Sequence, residues 1–125
     1  MSSESMNRWL PCQGYCEMAG SANFFLSLSR CAVLVHGPQW CSSIAAAEMA
    51  GIEKKYEKQF YCSEVRQQNL VFGAADELTE ALHEIADEQH PALIALLTSC
   101  AMSLIGDDME GICRAAGITA PVVSL

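Results

Sequence analysis

Two short apolar runs, each stopped by a turn, constrain the fold of this chain most strongly. Residues 31–35 (CAVLV) run into residues 36–38 (HGP), and residues 93–97 (LIALL) run into residues 98–100 (TSC). Apolar runs without polar alternation are typical of strands that are covered on both faces, as in parallel sheets. A third run of this kind, residues 121–125 (PVVSL), lies at the end of the chain.

Helical patterns alternate with these predicted strands. Residues 42–50 are rich in Ala, residues 75–89 repeat apolar side chains at helical spacing, and residues 109–116 follow two good capping residues, Asp107 and Asp108. Strands that alternate with helices are the pattern of a parallel α/β fold. We therefore expect a Rossmann-like three-layer sandwich with a short parallel sheet.

The chain length suits one domain, preceded by an arm. Residues 1–23, which are polar and contain Pro and Gly breakers, are expected to form an extended or looped arm, and residues 24–125 the α/β domain. Residues 70–72 are expected to be a brief extended piece that closes in a turn at Gly73. Because the last predicted strand coincides with the end of the chain, we expect this domain to be incomplete and to be the first part of a larger α/β protein.

The charge balance excludes two classes of partner. The chain has 15 acidic and 7 basic side chains, a formal charge of −8. Nucleic acids and anionic membranes require clustered Lys and Arg, and the cluster of Lys54, Lys55 and Lys58 is interleaved with Glu53 and Glu57. No secretory signal pattern opens the sequence, and its most apolar stretch is too short to span a bilayer. A cytoplasmic location is the expectation.

Seven cysteines need an explanation in such a protein. A reducing compartment disfavours a disulfide framework, which leaves buried thiols, metal or cluster ligands, or redox chemistry. Two of the cysteines, Cys41 and Cys100, follow two predicted parallel strands, so they are expected at the same edge of the sheet. Each also precedes or begins a helix, where the helix dipole should lower the thiol pKa. Such thiolates suit an iron–sulfur cluster or another soft metal site.

An ordered set of short motifs resembles the nitrogenase component 1 family. The motifs are CEMAG from Cys16, VHGPQWC ending at Cys41, VFG ending at Gly73, TSC ending at Cys100, and LIGDDMEG ending at Gly111. The family comprises the two subunits that form the redox partner of the nitrogenase iron protein, related cofactor-assembly scaffold proteins and nitrogenase-like tetrapyrrole reductases. The resemblance runs from about Cys16 to the end of the chain and corresponds to the N-terminal portion of a member.

The resemblance implies a function and a ligand set. Cys16, Cys41 and Cys100 would hold an iron–sulfur cluster, a 4Fe–4S cluster or a larger one. A homologous component 1-type subunit, in a homo- or hetero-oligomer, would complete the cluster site. Electrons would come from an ATP-dependent iron–sulfur reductase, since this chain contains no phosphate-binding loop of its own. The resemblance implies that substrate reduction needs later domains of a member, so this portion alone is expected to be inactive as an oxidoreductase, and no catalytic residue is assigned to it.

Three departures from the family pattern bear on the type of cluster. Trp40 stands where members often have Gly, and its bulk would crowd a large cluster. Gly73-Ala74 stands where many members have two Gly. Cys12, four residues before Cys16, is an alternative or an additional ligand.

Other interpretations remain open at this stage. The chain is an electron-transfer component, a scaffold for assembling a nitrogenase-type metallocofactor, or a metal-free structural fragment. Cys31 and Cys113 are interpreted as core thiols, and Cys62 as a structural or surface thiol. His36 is interpreted as a hydrogen-bonded structural residue, while His83 and His90 are expected to be solvated. Asp107 and Asp108 are interpreted as helix caps rather than metal ligands.

Overall fold

A computed structural model describes residues 16–48 and 58–125 of the chain. Cys12, Lys54 and Lys55, which the sequence analysis singled out, lie outside these residues. The described elements, in chain order, are α1 (Glu17–Leu26), β1 (Cys31–His36), α2 (Gln39–Glu48), β2 (Phe60–Cys62), α3 (Asn69–Phe72), α4 (Ala75–Gln89), β3 (Leu93–Thr98), α5 (Cys100–Ile105), α6 (Met109–Ala116) and β4 (Val122–Ser124).

The strands form an all-parallel sheet in the order β2-β1-β3-β4. The central pair is β1 and β3, and their register runs from Cys31 opposite Leu93 to His36 opposite Thr98. Both strands therefore end at the same level, and the loops that follow them lie side by side. This register places the residues after His36 and those after Thr98 at one edge of the sheet.

Helices cover both faces of the sheet, which makes three layers. On one face Leu34 of β1 packs in a cluster with Leu82 of α4. On the other face Val33 packs in a cluster with Leu26 of α1. All six residues of β1 are buried, as expected for a central strand with no solvent-facing side. The predicted α/β sandwich with a short parallel sheet is confirmed.

Two local predictions are wrong. Residues 17–23 are not part of an extended arm, because helix α1 begins at Glu17 and buries Ala22 in a cluster with strand residues of the sheet. Its small side chain allows the helix to approach the strands closely. Residues 70–72 are helical rather than extended, since they belong to the single turn of α3 that ends at Gly73. Gly73 has a φ of 86°, a conformation that favours glycine.

Within residues 16–48 and 58–125, no helix combines the length and the apolar character needed to cross a membrane.

Candidate functional site

Three cysteines lie at the beginnings of three different helices. Cys16 is the residue that precedes α1, Cys41 is the third residue of α2, and Cys100 is the first residue of α5. The backbone N–H groups and the dipole of a helix favour negative charge at this end. These positions therefore suit sulfur ligands that bind as thiolates.

The three thiols line one cavity of about 460 Å³ at the carboxyl edge of the sheet. Cys41 is nearly buried, whereas Cys16 and Cys100 are exposed. The sequence prediction that Cys41 and Cys100 share an edge is confirmed. Apolar side chains make up much of the remaining wall, namely Met18, Trp40, Ile44, Leu97 and Leu125.

Burial and the neighbouring thiols both affect the pKa of Cys41. Burial raises the pKa of Cys41, and the thiols of Cys16, Cys100 and Cys62 raise it further, because a second thiolate nearby is repelled. The nearby hydroxyl of Ser99 acts in the opposite direction and favours the thiolate. The expected lowering of the Cys41 pKa by its helix is therefore wrong. Desolvation is the largest cause of the raised pKa of Cys41, and the neighbouring sulfurs add to it.

The arrangement does not resemble a site for a single ion. In the part of the chain that the structure describes, no three His, Cys, Asp or Glu side chains converge closely enough to hold one metal ion. The three thiols instead stand around a cavity. Sulfur ligands are soft and suit iron–sulfur clusters, whose several irons allow ligands to be spaced apart. Soft sulfur donors around a cavity match the donor chemistry of an iron–sulfur cluster.

A buried hydrogen-bond network supports the first of the two loops. His36 is fully buried, and its Nδ1 lies 2.8 Å from Oγ of Ser63, which also accepts a hydrogen bond from the Gly37 N–H at 3.2 Å. Burial lowers the pKa of His36, although Asp107 and Glu77 oppose this. The interpretation of His36 as a structural, hydrogen-bonded residue is confirmed.

Ser99 is a residue that the sequence analysis missed. It lines the cavity between the end of β3 and Cys100, and its N–H donates to the carbonyl of His36 at 3.0 Å. The TSC motif contained the signal, because a hydroxyl before a candidate ligand is well placed to contact sulfur. The sequence patterns indicated the cysteines of this cavity and not Ser99.

The two aspartates of the IGDD motif act as caps. Asp108 accepts a hydrogen bond from the N–H of Gly111 at 3.0 Å and begins α6. Asp107 accepts from the N–H of Ala74 at 2.9 Å and so supports the start of α4. The interpretation of Asp108 as the cap of α6 is confirmed, whereas Asp107 does not cap the helix that it precedes and instead supports the start of α4.

The remaining described cysteines and histidines lie outside the cavity wall. Cys31 is buried in β1, Cys113 is half-buried against the core, and burial raises the pKa of both thiols. Cys62 ends β2, half-buried, with Sγ 3.8 Å from the carbonyl of Gly37. His83 and His90 are exposed, as expected, although Nε2 of His83 lies 2.8 Å from the carbonyl of Ala116.

Comparison with known proteins agrees with this geometry. The family model described as nitrogenase component 1 type oxidoreductase matches residues 16–124. The chain is 34% identical over 86 residues to the nitrogenase iron-molybdenum cofactor biosynthesis protein NifE of Clostridium pasteurianum, covering 66% of this chain and 19% of that protein. It is 30% identical over 108 residues to NifE of Methanococcus maripaludis, covering 83% and 22%.

A second kind of relative is a nitrogenase subunit. The chain is 32% identical over 91 residues to the nitrogenase molybdenum-iron protein alpha chain of Methanosarcina barkeri, covering 66% of this chain and 17% of that protein. The chain thus spans about a fifth of the length of the curated relatives that it matches. Among solved structures, nitrogenase Cp1 at pH 6.5 superimposes with a TM-score of 0.74 at 20% identity, over 87% of this chain and 25% of that one. This likeness concerns the fold.

Proposed function

Because this chain belongs to the nitrogenase component 1 type oxidoreductase family, we propose that it holds an iron–sulfur cluster through Cys16, Cys41 and Cys100. The observation that carries the proposal is the meeting of these three thiols around one cavity, each in the first turn of, or directly before, a different helix. Such a cluster, when bound, would supply one-electron storage and transfer. The thiols are the groups of this chain that would bind it, as thiolates.

The walls of the cavity suit that role. Ile44 and Leu97 contribute apolar surface to the wall, and the polarity of the surroundings influences the potential of a bound cluster. The raised pKa of Cys41 describes the protein without metal. Coordination to a metal deprotonates a thiol outright, because the positive charge of the metal removes the penalty for the thiolate.

The open side of the cavity supports a shared site. Cys16 and Cys100 are exposed, and the indole of Trp40, 62% exposed, forms part of the rim. Exposed aromatic and aliphatic side chains around a site of ligands are typical of a surface that a partner covers. We assign this side to a homologous component 1-type subunit, in a homo- or hetero-oligomer, which would supply the remaining ligands.

A second group of exposed apolar side chains lies on helix α3 and on helix α5, which begins at Cys100. Val71 and Phe72 of α3, with Phe72 88% exposed, lie on a helix that contacts α5, and Leu104 of α5 is 89% exposed. Helix α5 begins at Cys100, so the patch lies about one helical turn from the proposed cluster. An electron donor must approach its acceptor closely. We assign this patch to contact with an ATP-dependent iron–sulfur reductase.

The formal charge of −8 and the reducing chemistry fit a cytoplasmic protein that contacts neither nucleic acid nor a membrane surface.

The similarity to two NifE proteins, which by name serve cofactor biosynthesis, supports a second candidate function. In that case the chain would belong to an assembly scaffold that carries a cluster or a cofactor precursor without reducing a substrate.

Anaerobic purification of the full chain in its oligomer with the component 1-type subunit, followed by iron and acid-labile sulfide analysis, tests the proposal. We expect iron and sulfide in equal amounts in the wild type, and their loss in Cys16→Ala, Cys41→Ala and Cys100→Ala. Cys113→Ala, which removes a half-buried thiol far from the cavity wall, is the matched control and should retain both. A wild type without iron, or three variants that all retain it, would contradict the proposal.

Reduction of the loaded protein by an iron–sulfur reductase with ATP separates the two candidate functions. An electron-transfer component is reduced and then reoxidised by its downstream acceptor site in the complete complex. A scaffold instead releases a metal-containing precursor to an acceptor protein. Measuring cluster oxidation state and metal transfer in the same preparation shows which of the two occurs.

A further inference from the structure

One buried polar group in the wall of the cavity has no hydrogen-bond partner among the described residues. Ser99 is 3% exposed and lines the cavity, and its Oγ contacts no acceptor. Buried hydroxyls are nearly always paired, so an unpaired one at a site indicates a partner that is present only in another state of that site. For Ser99 the neighbouring sulfur of Cys41 is such a partner, because a thiolate accepts hydrogen bonds more strongly than a thiol does.

The backbone holds Ser99 in place. Its N–H donates to the carbonyl of His36 at 3.0 Å, and its own carbonyl accepts from the N–H of Ser103 at 3.1 Å and from the Ser103 hydroxyl at 3.2 Å. These bonds attach Ser99 both to strand β1 and to helix α5. The only polar group of Ser99 that remains free is therefore its side-chain hydroxyl.

Gly37 leaves the space that this hydroxyl occupies. A Cβ at Gly37 would lie 2.5 Å from Oγ of Ser99 and 2.7 Å from its Cβ, and 4.0 Å from Cβ of Cys41. Ser99 and Cys41 thus both border the space that the missing side chain leaves. The hydroxyl of Ser99 favours the thiolate form of Cys41, which agrees with this proximity.

We propose that the hydroxyl of Ser99 donates a hydrogen bond to the ligating sulfur of Cys41 and thereby raises the reduction potential of the bound cluster. The inference rests on the proposed function, since it requires Cys41 to be a ligand. Reduction adds one electron to the cluster and its thiolates, while the proton stays on the Ser99 oxygen and no bond breaks. A hydrogen-bond donor at the sulfur stabilises the reduced cluster, because the reduced cluster carries one more negative charge than the oxidised cluster. Hydrogen bonds to the sulfurs are among the factors that set cluster potentials. Ser99 is thus a positioning residue that acts through Cys41.

Redox titration of the anaerobically reconstituted full chain, followed by electron paramagnetic resonance with dithionite as reductant, tests this inference. In Ser99→Ala we expect unchanged contents of iron and sulfide. At the wild-type midpoint potential, the ratio of reduced to oxidised cluster should be about tenfold lower, which corresponds to a midpoint potential about 59 mV lower for one electron. Ser99→Thr retains the hydroxyl and should restore most of the shift. Ser43→Ala removes an exposed hydroxyl of α2 that donates to the carbonyl of Gln39 at 3.0 Å, outside the cavity wall, and it should leave the potential unchanged.

The outcomes separate this inference from the proposed function. A loaded Ser99→Ala protein with the wild-type midpoint would overturn the role of Ser99 and leave the cluster assignment intact. Loss of iron from Ser99→Ala would also overturn that role, because Ser99 would then be needed for binding rather than for potential. A wild type that takes up no cluster would overturn the proposed function itself, and this inference with it.

Discussion

Replacing Gly37 with Ala should disturb the junction between the two central strands. The new methyl group would meet Ser99 at 2.5 Å from Oγ and 2.7 Å from Cβ, distances that Cβ atoms essentially never show. The serine cannot simply turn away, because its Cβ is one of the two atoms and its N–H is bonded to the carbonyl of His36. Relief therefore requires a shift of the backbone where β1 and β3 end.

Overpacking of this kind costs about 1–3 kcal/mol, and the double contact with a fixed neighbour favours the upper half of that range. We expect Gly37→Ala to lower the free energy of unfolding by about 2–3 kcal/mol, measured by urea denaturation followed by circular dichroism. Gly20→Ala is the matched control. Gly20 lies within helix α1, and an added Cβ there meets nothing within 4 Å. The control should be stabilised by about 0.5–1 kcal/mol through helix propensity.

A second substitution checks that the contact with Ser99 is the cause. Ser99→Gly removes both atoms that the new methyl group would meet, so the double variant with Gly37→Ala should lose less stability than the sum of the two single variants. A coupling of about 1 kcal/mol or more is expected for residues in direct contact. A Gly37→Ala protein as stable as the wild type, or strictly additive single variants, would refute this reasoning.

The other predictions concern the core, a cap and pH, each measured by urea unfolding of the full chain. Leu82→Ala, in the buried face of α4, should cost about 2–5 kcal/mol, and a loss below about 1 kcal/mol would contradict the packing. Asp108→Ala should cost about 1 kcal/mol through loss of the bond to Gly111 while Asp108→Asn keeps most of that stability, and an Asp108→Ala protein as stable as the wild type would show that the cap is unimportant. Burial lowers the pKa of His36, so the unfolded chain binds the proton first, and stability should fall as the pH decreases below about 6.5. His36→Gln should weaken that dependence, and an unchanged pH profile would rule out His36 as its source.

The parts of the fold with an unbroken pattern were predictable from sequence. Strands β1 and β3 were located by their apolar runs, and the predicted limits of α4 and α6 agree with the structure. The start of α1 was missed because Gly20 and Ser21 resemble breakers in a polar segment. What makes residues 17–23 helical is tertiary packing, because Ala19 and Ala22 are fully buried and Ala22 packs with strand residues, and such burial overrides weak local propensity.

The site was predictable in its placement and less so in its electrostatics. Parallel strands that end together bring Cys41 and Cys100 to one edge, which the order of elements alone indicates. Cys16 entered only through the resemblance to a family, since no periodicity relates it to that edge. The raised pKa of Cys41 and the unpaired hydroxyl of Ser99 depend on burial and on packing around Gly37, which no local pattern encodes.

Differential alkylation tests most directly whether Cys16, Cys41 and Cys100 hold a cluster. The cluster-free and the anaerobically reconstituted chain are each treated with an alkylating reagent under native conditions, and the modified cysteines are identified by mass spectrometry. Cys16 and Cys100 are exposed, so both should react readily without a cluster and be protected with it, while Cys62 should change little. Full reactivity of Cys16 and Cys100 in the reconstituted protein would contradict the account.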